Sequence, residues 1–588
     1  MKKIQILLAL LLSSVSLFAE PIGEQRARQI AEEFFAQHVT RATTGEIALT
    51  WAGDVFGEVS ASGSMLNTSL MYIYSRGEAG GFVIVSGDSN TESIIAYSLE
   101  HPFDINNMAD ATETILDAWC REIGQARKEA RPISGTERAA LTRANDAIKY
   151  ETAQWNQSEP FNWESPIYDG YRSVTGCVAT AMSIICKYHE WPTKGVGTTP
   201  EYSYQDAYGV YRSVAANKLG RTYNYSNMLM DYNSGYTTTQ GNAVAALMKD
   251  MGTSVKMQYH HSGSAAFDMD VITAFSTYFG YSKDIELAMH SSYNDADWQN
   301  LVRENLRNYG PTYFCGQSAN GGHAFIVDGF DAEGRFSFNF GWGGYGNGYF
   351  YMPSIEYYAD QKAILRLTPD RDGTSTYNDN LMLNALYSGD EQVFYGIRSF
   401  ATSYKVNEPF ACKLGGFLNY GSVEFNGDIK LVLCDKDGTW KEELYTVSFS
   451  LTPNMIYYYP YNITVTITQP LEVGDRLRIY YKGTYSDDWK WMRSSDISIV
   501  DQELLVMASP EDIAKGLEFT YDKEGKYMTI YSDNAAHVEI CDGDTGVSLA
   551  TDDIAARGGV SYEYDSSLKT LVLKISLGSE PYILTIKL

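Results

Sequence analysis

Residues 175–192 constrain the chain more than any other segment. Gly176 precedes Cys177, and small or helix-tolerant residues follow until Trp191-Pro192, where the proline enforces a stop. Ala181, Ile184, Ile185 and Tyr188 recur at helical spacing and give the segment a stripe to bury. Cys177 is therefore expected at or just before a helix N-terminus. The positive pole of the helix dipole lies there and favours an anion, hence a thiolate over a thiol. Gly176 leaves room for a second backbone to approach.

A thiolate nucleophile needs a base from elsewhere in the chain. Of the eight histidines, His323 has the best setting: it follows Gly321-Gly322 and opens the apolar strand Ala324-Phe325-Ile326-Val327. Sixteen residues on comes Asn339-Phe340-Gly341-Trp342-Gly343-Gly344. The Asn339 side-chain carbonyl is placed to accept a hydrogen bond from the His323 ring and fix its tautomer. Trp342 would shield that bond from water. His189, at a helix end, reads as a helix-terminal cation rather than a catalytic group. His260-His261 has no acidic or Cys partner at ligand spacing, so no metal site is expected.

Several motifs occur in one order: Gln154-Trp155-Asn156-Gln157, residues 174–181, Lys187-Tyr188-His189 with Pro192, Ser262-Gly263-Ser264-Ala265, residues 321–325 with Asp328-Gly329, and residues 339–344. In these, residues 150–368 resemble the streptopain family of secreted papain-like cysteine peptidases. The resemblance implies Cys177 as nucleophile and His323 as base and later acid. It implies Gln154 as a side-chain donor to the oxyanion hole, with Gln157 close by, and Asn339 as the residue that orients His323. It implies Ser264, Gly322 and Trp342 as residues at the substrate cleft, no metal and no cofactor. Phe340 stands where the family has the first Trp of its Asn-Trp-Gly-Trp-Gly run. Residues 20–149 would be the inhibitory pro-segment.

The rest of the chain supports an α+β organisation. Residues 1–19 carry Lys2 and Lys3, an apolar run and a small-residue end at Ala19, the pattern of a signal peptide for an exported, secreted, periplasmic or cell-surface protein. Residues 25–37 predict an amphipathic helix, with strands over 69–74 and 81–85 and a second helix around Ile115, Leu116 and Trp119. Residues 121–149 are poor in large apolar side chains and read as an exposed, cleavable connector. The expected core of 150–368 is papain-like, with helices over 242–251 and 297–308 and strands over 311–315, 323–327, 335–339 and 348–351. Alternating apolar strands between Gly/Asn/Asp turns predict a β-sandwich over 381–505 and a small β-domain over 510–588, a sorting or surface module.

Charge and cysteine count exclude other classes. With 46 Lys+Arg against 73 Asp+Glu, the net charge of −27 argues against nucleic acid as a partner. No internal apolar stretch is long enough for a membrane span. Seven cysteines are too few for a disulfide scaffold and leave at least one unpaired. The expected activity is that of a cysteine endopeptidase made as a zymogen, its partners being protein or peptide substrates and its own pro-segment. Two rivals remain at this point: a cell-wall peptide hydrolase on the same core, and a surface-binding protein that keeps the fold without the chemistry.

Overall fold

Alternation and tight turns build one sheet from two distant stretches of sequence. The computed structural model describes residues 21–38, 45–54, 69–77, 80–101, 103–106, 110–129, 147–206, 208–318, 321–353, 359–388, 391–399, 404–472, 474–497, 502–505, 516–522, 527–532, 534–543, 545–564, 568, 570–577 and 581–587. The expected signal peptide lies outside these residues. A first compact unit ends at Thr376 and a second begins at Tyr377.

In the first unit, helix α1 (Glu24–Gln37) buries Ala27, Ile30, Ala31, Phe34 and Phe35, the stripe expected from sequence. Burying each large apolar side chain contributes about 1.5–3 kcal/mol. It packs on a meander of β1 (Ile47–Gly53), β2 (Met71–Arg76), β3 (Phe82–Ser86) and β4 (Ile94–Ser98). Helix α2 (Asp110–Glu129) follows, then the short β5 (Ile148–Lys149).

The connector expected over 121–149 is only partly so. Helix α2 continues to Glu129 and buries Glu122, Ile123 and Ala126. Ile115, Leu116, Trp119, Ile123 and Ala126 hold the 3–4 spacing that keeps one face inward. The low count of large apolar residues hid that stripe. Arg127 anchors the last turn, its Nε 3.1 Å from Asp88 Oδ2 and its Nη2 donating to Gly87 O at 2.7 Å. Residues 130–146 lie outside the described residues.

The other strands of this sheet are β6 (Glu286–Met289), β7 (Thr312–Ser318), β8 (Gly321–Phe330), β9 (Phe336–Asn339), β10 (Gly348–Phe350) and β11 (Ala359–Leu365). Among the described residues, the sheet order is β1-β2-β3-β4-β10-β9-β8-β7-β11-β6, with β5 pairing β8 off this path. The pro-segment half and the second half meet where β4 pairs antiparallel with β10, Tyr97 opposite Tyr349 and Ala96 opposite Phe350. The two halves share one core: Ile115, Trp119 and Phe82 cluster with Phe325, Phe338 and Phe350. Trp119 Nε1 donates to Tyr351 O at 3.1 Å. The remaining α-helices are α3 (Cys177–His189), α4 (Thr238–Ser254), α5 (Asp268–Tyr278) and α6 (Asp295–Tyr309). Helix α5 was not expected from sequence.

The second unit is all-β among its described residues. Its longest ladder pairs Phe425–Cys434 with both Trp440–Leu451 and Arg476–Gly483. Two separate cores form, one around Leu431, Leu433, Leu477 and Ile479, the other around Ile530, Val538, Leu573 and Ile575.

Candidate active site

Cys177 is the first residue of α3, and Gly176 caps it with φ 87°. Only glycine suits that site. The φ is left-handed, and a Cβ would lie 2.7 Å from Met257 Sδ and 3.0 Å from Ser264 O. The helix behind the thiol is enclosed: Val178 to Cys186 are all buried.

His323 lies on β8, opposite Gly316 of β7, with its neighbour Ala324 opposite Cys315. Its ring lies 6.2 Å from that of Phe325 at an interplanar angle of 19°. His323 Nε2 donates to Phe340 O at 3.0 Å. The ring also hydrogen-bonds Cys177, so Nδ1 is the nitrogen left to take the thiol proton.

Burial pushes the Cys177 thiol up. The His323 charge, the His323 hydrogen bond and the Ala324 N–H outweigh it, and the net shift is downward. Four other thiols shift the opposite way. Burial pushes Cys186 and Cys412 up to about 12, and raises Cys315 and Cys434. A raised thiol is almost wholly protonated at neutral pH and is a poor nucleophile.

Cys177, His323, Ser264 and Gly322 line one cavity of about 180 Å³, together with Gln317, Asp268 and Lys362. Ser264 shapes it with its hydroxyl already engaged, donating to Val174 O at 2.8 Å and accepting from His260 N at 2.9 Å. Gly322 leaves the wall open: a Cβ there would meet nothing closer than Gly316 O at 3.7 Å. Trp342 does not line this cavity and packs instead at the edge of the shared core. No described residue of 21–149 lines it either.

Asn339 and Gln154 stand apart from the thiol. Asn339 Nδ2 donates to Thr152 Oγ1 at 2.9 Å and to Ala153 O at 3.0 Å. Its Oδ1 accepts from Gly341 N at 3.2 Å and Asn347 Nδ2 at 3.1 Å. The expected Asn339–His323 bond is thus replaced by the Phe340 backbone carbonyl, one residue along. Gln154 Nε2 donates to Thr152 O at 3.0 Å, and its Oε1 accepts from Asn347 Nδ2. Gln154 does not line the cavity. The expected oxyanion donor is therefore bound into this amide cluster.

Sequence reasoning missed the centre of that cluster. Asn347, 3% exposed, also accepts from Phe340 N at 2.9 Å. It ties the backbone N–H of Phe340, the residue whose carbonyl meets His323, to the side chains of Asn339 and Gln154. Only the cluster of polar residues after a glycine-rich run hinted at it. Gln157 was passed over in favour of Gln154. Its carbonyl accepts from Thr175 N at 3.0 Å, which sets it beside the Gly176–Cys177 backbone. Its carboxamide makes no hydrogen bond among the described residues. His189 is also corrected: burial lowers it to about 4, so it is neutral rather than a helix-terminal cation.

The peptidase C10 family model matches residues 155–350, and the Spi protease inhibitor model matches residues 19–123. The chain is 30% identical over 308 residues to streptopain of Streptococcus pyogenes, covering 50% of this chain and 76% of that protein. It is 26% identical over 529 residues to the thiol protease/hemagglutinin PrtT of Porphyromonas gingivalis, covering 85% of this chain but 58% of that protein. Among solved structures it is similar to a prointerpain A fragment of Prevotella intermedia, at 24% identity and TM-score 0.45 over 57% of this chain and all of that one. Active interpain A from the same organism gives 30% identity and TM-score 0.34 over 40% of this chain and 98% of that one. A cysteine-peptidase core led by an inhibitor-like pro-segment is the class that the family models and the curated relatives define. The chain belongs to the peptidase C10 family, the streptopain family.

Proposed function

We propose that this chain is the zymogen of an exported cysteine endopeptidase. The observation that carries the reading is the lowered Cys177 thiol bonded to His323 at one end of an open cavity. The Cys177 thiolate attacks the scissile carbonyl carbon and forms a C–S bond. The carbonyl oxygen becomes an oxyanion, and collapse of this intermediate breaks the C–N bond. The His323 imidazolium gives its proton to the leaving amine. Water, deprotonated by His323, then hydrolyses the thioester and frees Cys177. The Cys177 backbone N–H and the Gln157 carboxamide serve as oxyanion donors, each worth about 2.7–4 kcal/mol in the transition state. Asn339 acts through the amide cluster that fixes the Phe340 carbonyl. Ser264 and Gly322 shape the cleft.

The pro-segment restrains the catalytic half through the sheet, and none of its described residues lines the cavity. Strand β4 pairs with β10, and His101 lies against Gly344, near Gln154. Processing falls upstream of residue 147. Lys149 is paired in β5 with Gly329, its Nζ is 2.6 Å from Asp328 Oδ2, and Tyr150 N donates to Asp328 O at 2.8 Å. Residues 1–19 direct export, and the β-domains beyond Tyr377 serve as a sorting or surface module.

Intact-mass and N-terminal analysis of purified wild type and Cys177→Ala test the reading together with casein hydrolysis. Wild type should lose its N-terminal segment and digest casein, while Cys177→Ala should stay at full length and do neither. Casein digestion by Cys177→Ala would strike the mechanism.

A further inference from the structure

On the other side of the loop that borders the cleft lies a second cavity, of about 130 Å³. Its walls are aromatic: Tyr168, Tyr171, Tyr208 and Tyr259, with His260 and His261. The rings brace one another. His260 and His261 centroids are 4.2 Å apart, Tyr171 sits 5.2 Å from His261, and Tyr208 sits 5.5 Å from His260. Tyr171 and Tyr208 are 64% and 74% exposed, while Tyr259 is buried. The cavity is thus open at the mouth and closed at the floor.

One polar group in it is left over. Ser173 also lines the cavity, is 1% exposed, and its Oγ has no hydrogen-bond partner among the described residues. A buried hydroxyl without a partner costs roughly 1–3 kcal/mol. The cavity's one cation is already answered. Arg212 hydrogen-bonds Asp169 and, at 2.9 Å, Asp206 Oδ2, while its guanidinium lies 5.0 Å from the Tyr168 ring centroid. No free positive charge remains there to hold an anion.

Size, lining and leftover group together specify an occupant. An apolar cavity of about 150 Å³ takes one benzene ring. Aromatic walls favour a ring in stacked or edge contact. A single unmet hydroxyl at the wall calls for one polar atom on that ring.

The position relates the cavity to the thiol. Ser173 precedes Cys177 by four residues, at most about 13–14 Å of extended chain. Val174 N donates to His260 O at 3.1 Å, and Ser264 Oγ donates to Val174 O. The loop therefore lines both cavities, with His260 and His261 in one and Ser264, Ala265 and Ala266 in the other. A substrate in extended conformation advances about 3.3 Å per residue, so it spans the gap in about four residues.

We propose that this cavity is a distal specificity subsite that takes a tyrosine side chain of the substrate polypeptide, three to six residues from the scissile bond. This rests on the endopeptidase reading above. The Tyr hydroxyl meets Ser173 Oγ, and the ring packs between Tyr171, Tyr208 and the two histidines.

The test is a peptide set with one cleavable core in which Tyr, Phe or Ala is walked through positions three to six on either side of the scissile bond. The activated wild type is compared with Ser173→Ala and Tyr208→Ala, and each kcat/KM is divided by that variant's value for the bare core. At one position Tyr should exceed Ala by about 10-fold or more, the range expected of a single filled pocket, with Phe between them. Ser173→Ala should bring Tyr down to Phe, and Tyr208→Ala should lower both. Equal rates at every position, or a Tyr preference that survives both variants, would overturn the subsite. Failure of wild type to cleave even the bare core strikes the peptidase reading instead.

Discussion

Two polar clusters sit at opposite ends of the His323 ring and behave differently. At one end, Cys177 and His323 face an open cavity, and Gln157, whose carbonyl accepts from Thr175 N, keeps its carboxamide uncommitted among the described residues. At the other, Gln154, Asn339, Asn347 and Thr152 bind one another. A buried amide with its bonds made is rigid and has little to offer a substrate. A group left available beside a lowered thiol can stabilise charge that develops only during reaction. Chemistry belongs to the first cluster and positioning to the second, even though both carry residues of the same types.

The sharpest break of this contrast is Cys177→Ala, expected to abolish peptide hydrolysis while thermal unfolding moves little, since one sulfur is removed. Next is His323→Ala. It should remove turnover and also lower iodoacetamide alkylation at neutral pH, because the thiolate loses its counter-ion. In wild type, alkylation should persist below the ordinary thiol pKa of 9.0 and fade only as pH drops through the lowered value.

Gln157→Ala should lower kcat by about 10²–10³ with KM nearly unchanged. Gln154→Ala should cost far less, and the two variants measured side by side decide which amide is the donor. Equal losses would erase the distinction between the clusters. Asn347→Ala should fall between them. It frees the Phe340 peptide, so the alkylation-versus-pH curve should shift toward ordinary thiol behaviour. A loss of thermal stability with that curve unmoved would make Asn347 a folding residue only.

The smallest effect concerns His101 of the pro-segment. Burial lowers its pKa below the ordinary 6.5, with Glu100, Asp328 and Asp231 opposing and Lys149 assisting. A base depressed when docked binds more protons when released. Docking is therefore favoured fully above about pH 6.5 and weakens as pH falls from there through the lowered docked value. Autoprocessing of wild type should quicken on acidification, and His101→Gln should flatten the dependence.

Much of this was legible in the sequence where local pattern and tertiary role coincide. The Cys177 helix, the His323 strand and the α1 stripe all follow from periodicity plus a Gly or Pro boundary. What sequence could not supply was the partner of a polar side chain. Asn339 has the right type and spacing to bind His323, yet a neighbouring backbone carbonyl does so. Gln154 and Gln157 are three residues apart and chemically identical, and only the Thr175 pairing separates them. His189 reads as a cation until its burial is known. Helix α2 was shortened because Ala126 and Ile123 are modest apolar residues, although their spacing was correct.

The β4–β10 pairing has one more consequence. While β4 is in place, β10 is an interior strand. In a form cut upstream of residue 147 and freed of β4, the outer side of β10 becomes the rim of the sheet, with unpaired backbone groups at Tyr349 and Phe350. Phe350 and Tyr351, now covered by Trp119 and Phe82, would also meet water. Such a rim is a template for strand addition by another chain. At three residues, β10 is short enough to blunt that hazard, so activation can bare a sheet edge without inviting a ladder of copies.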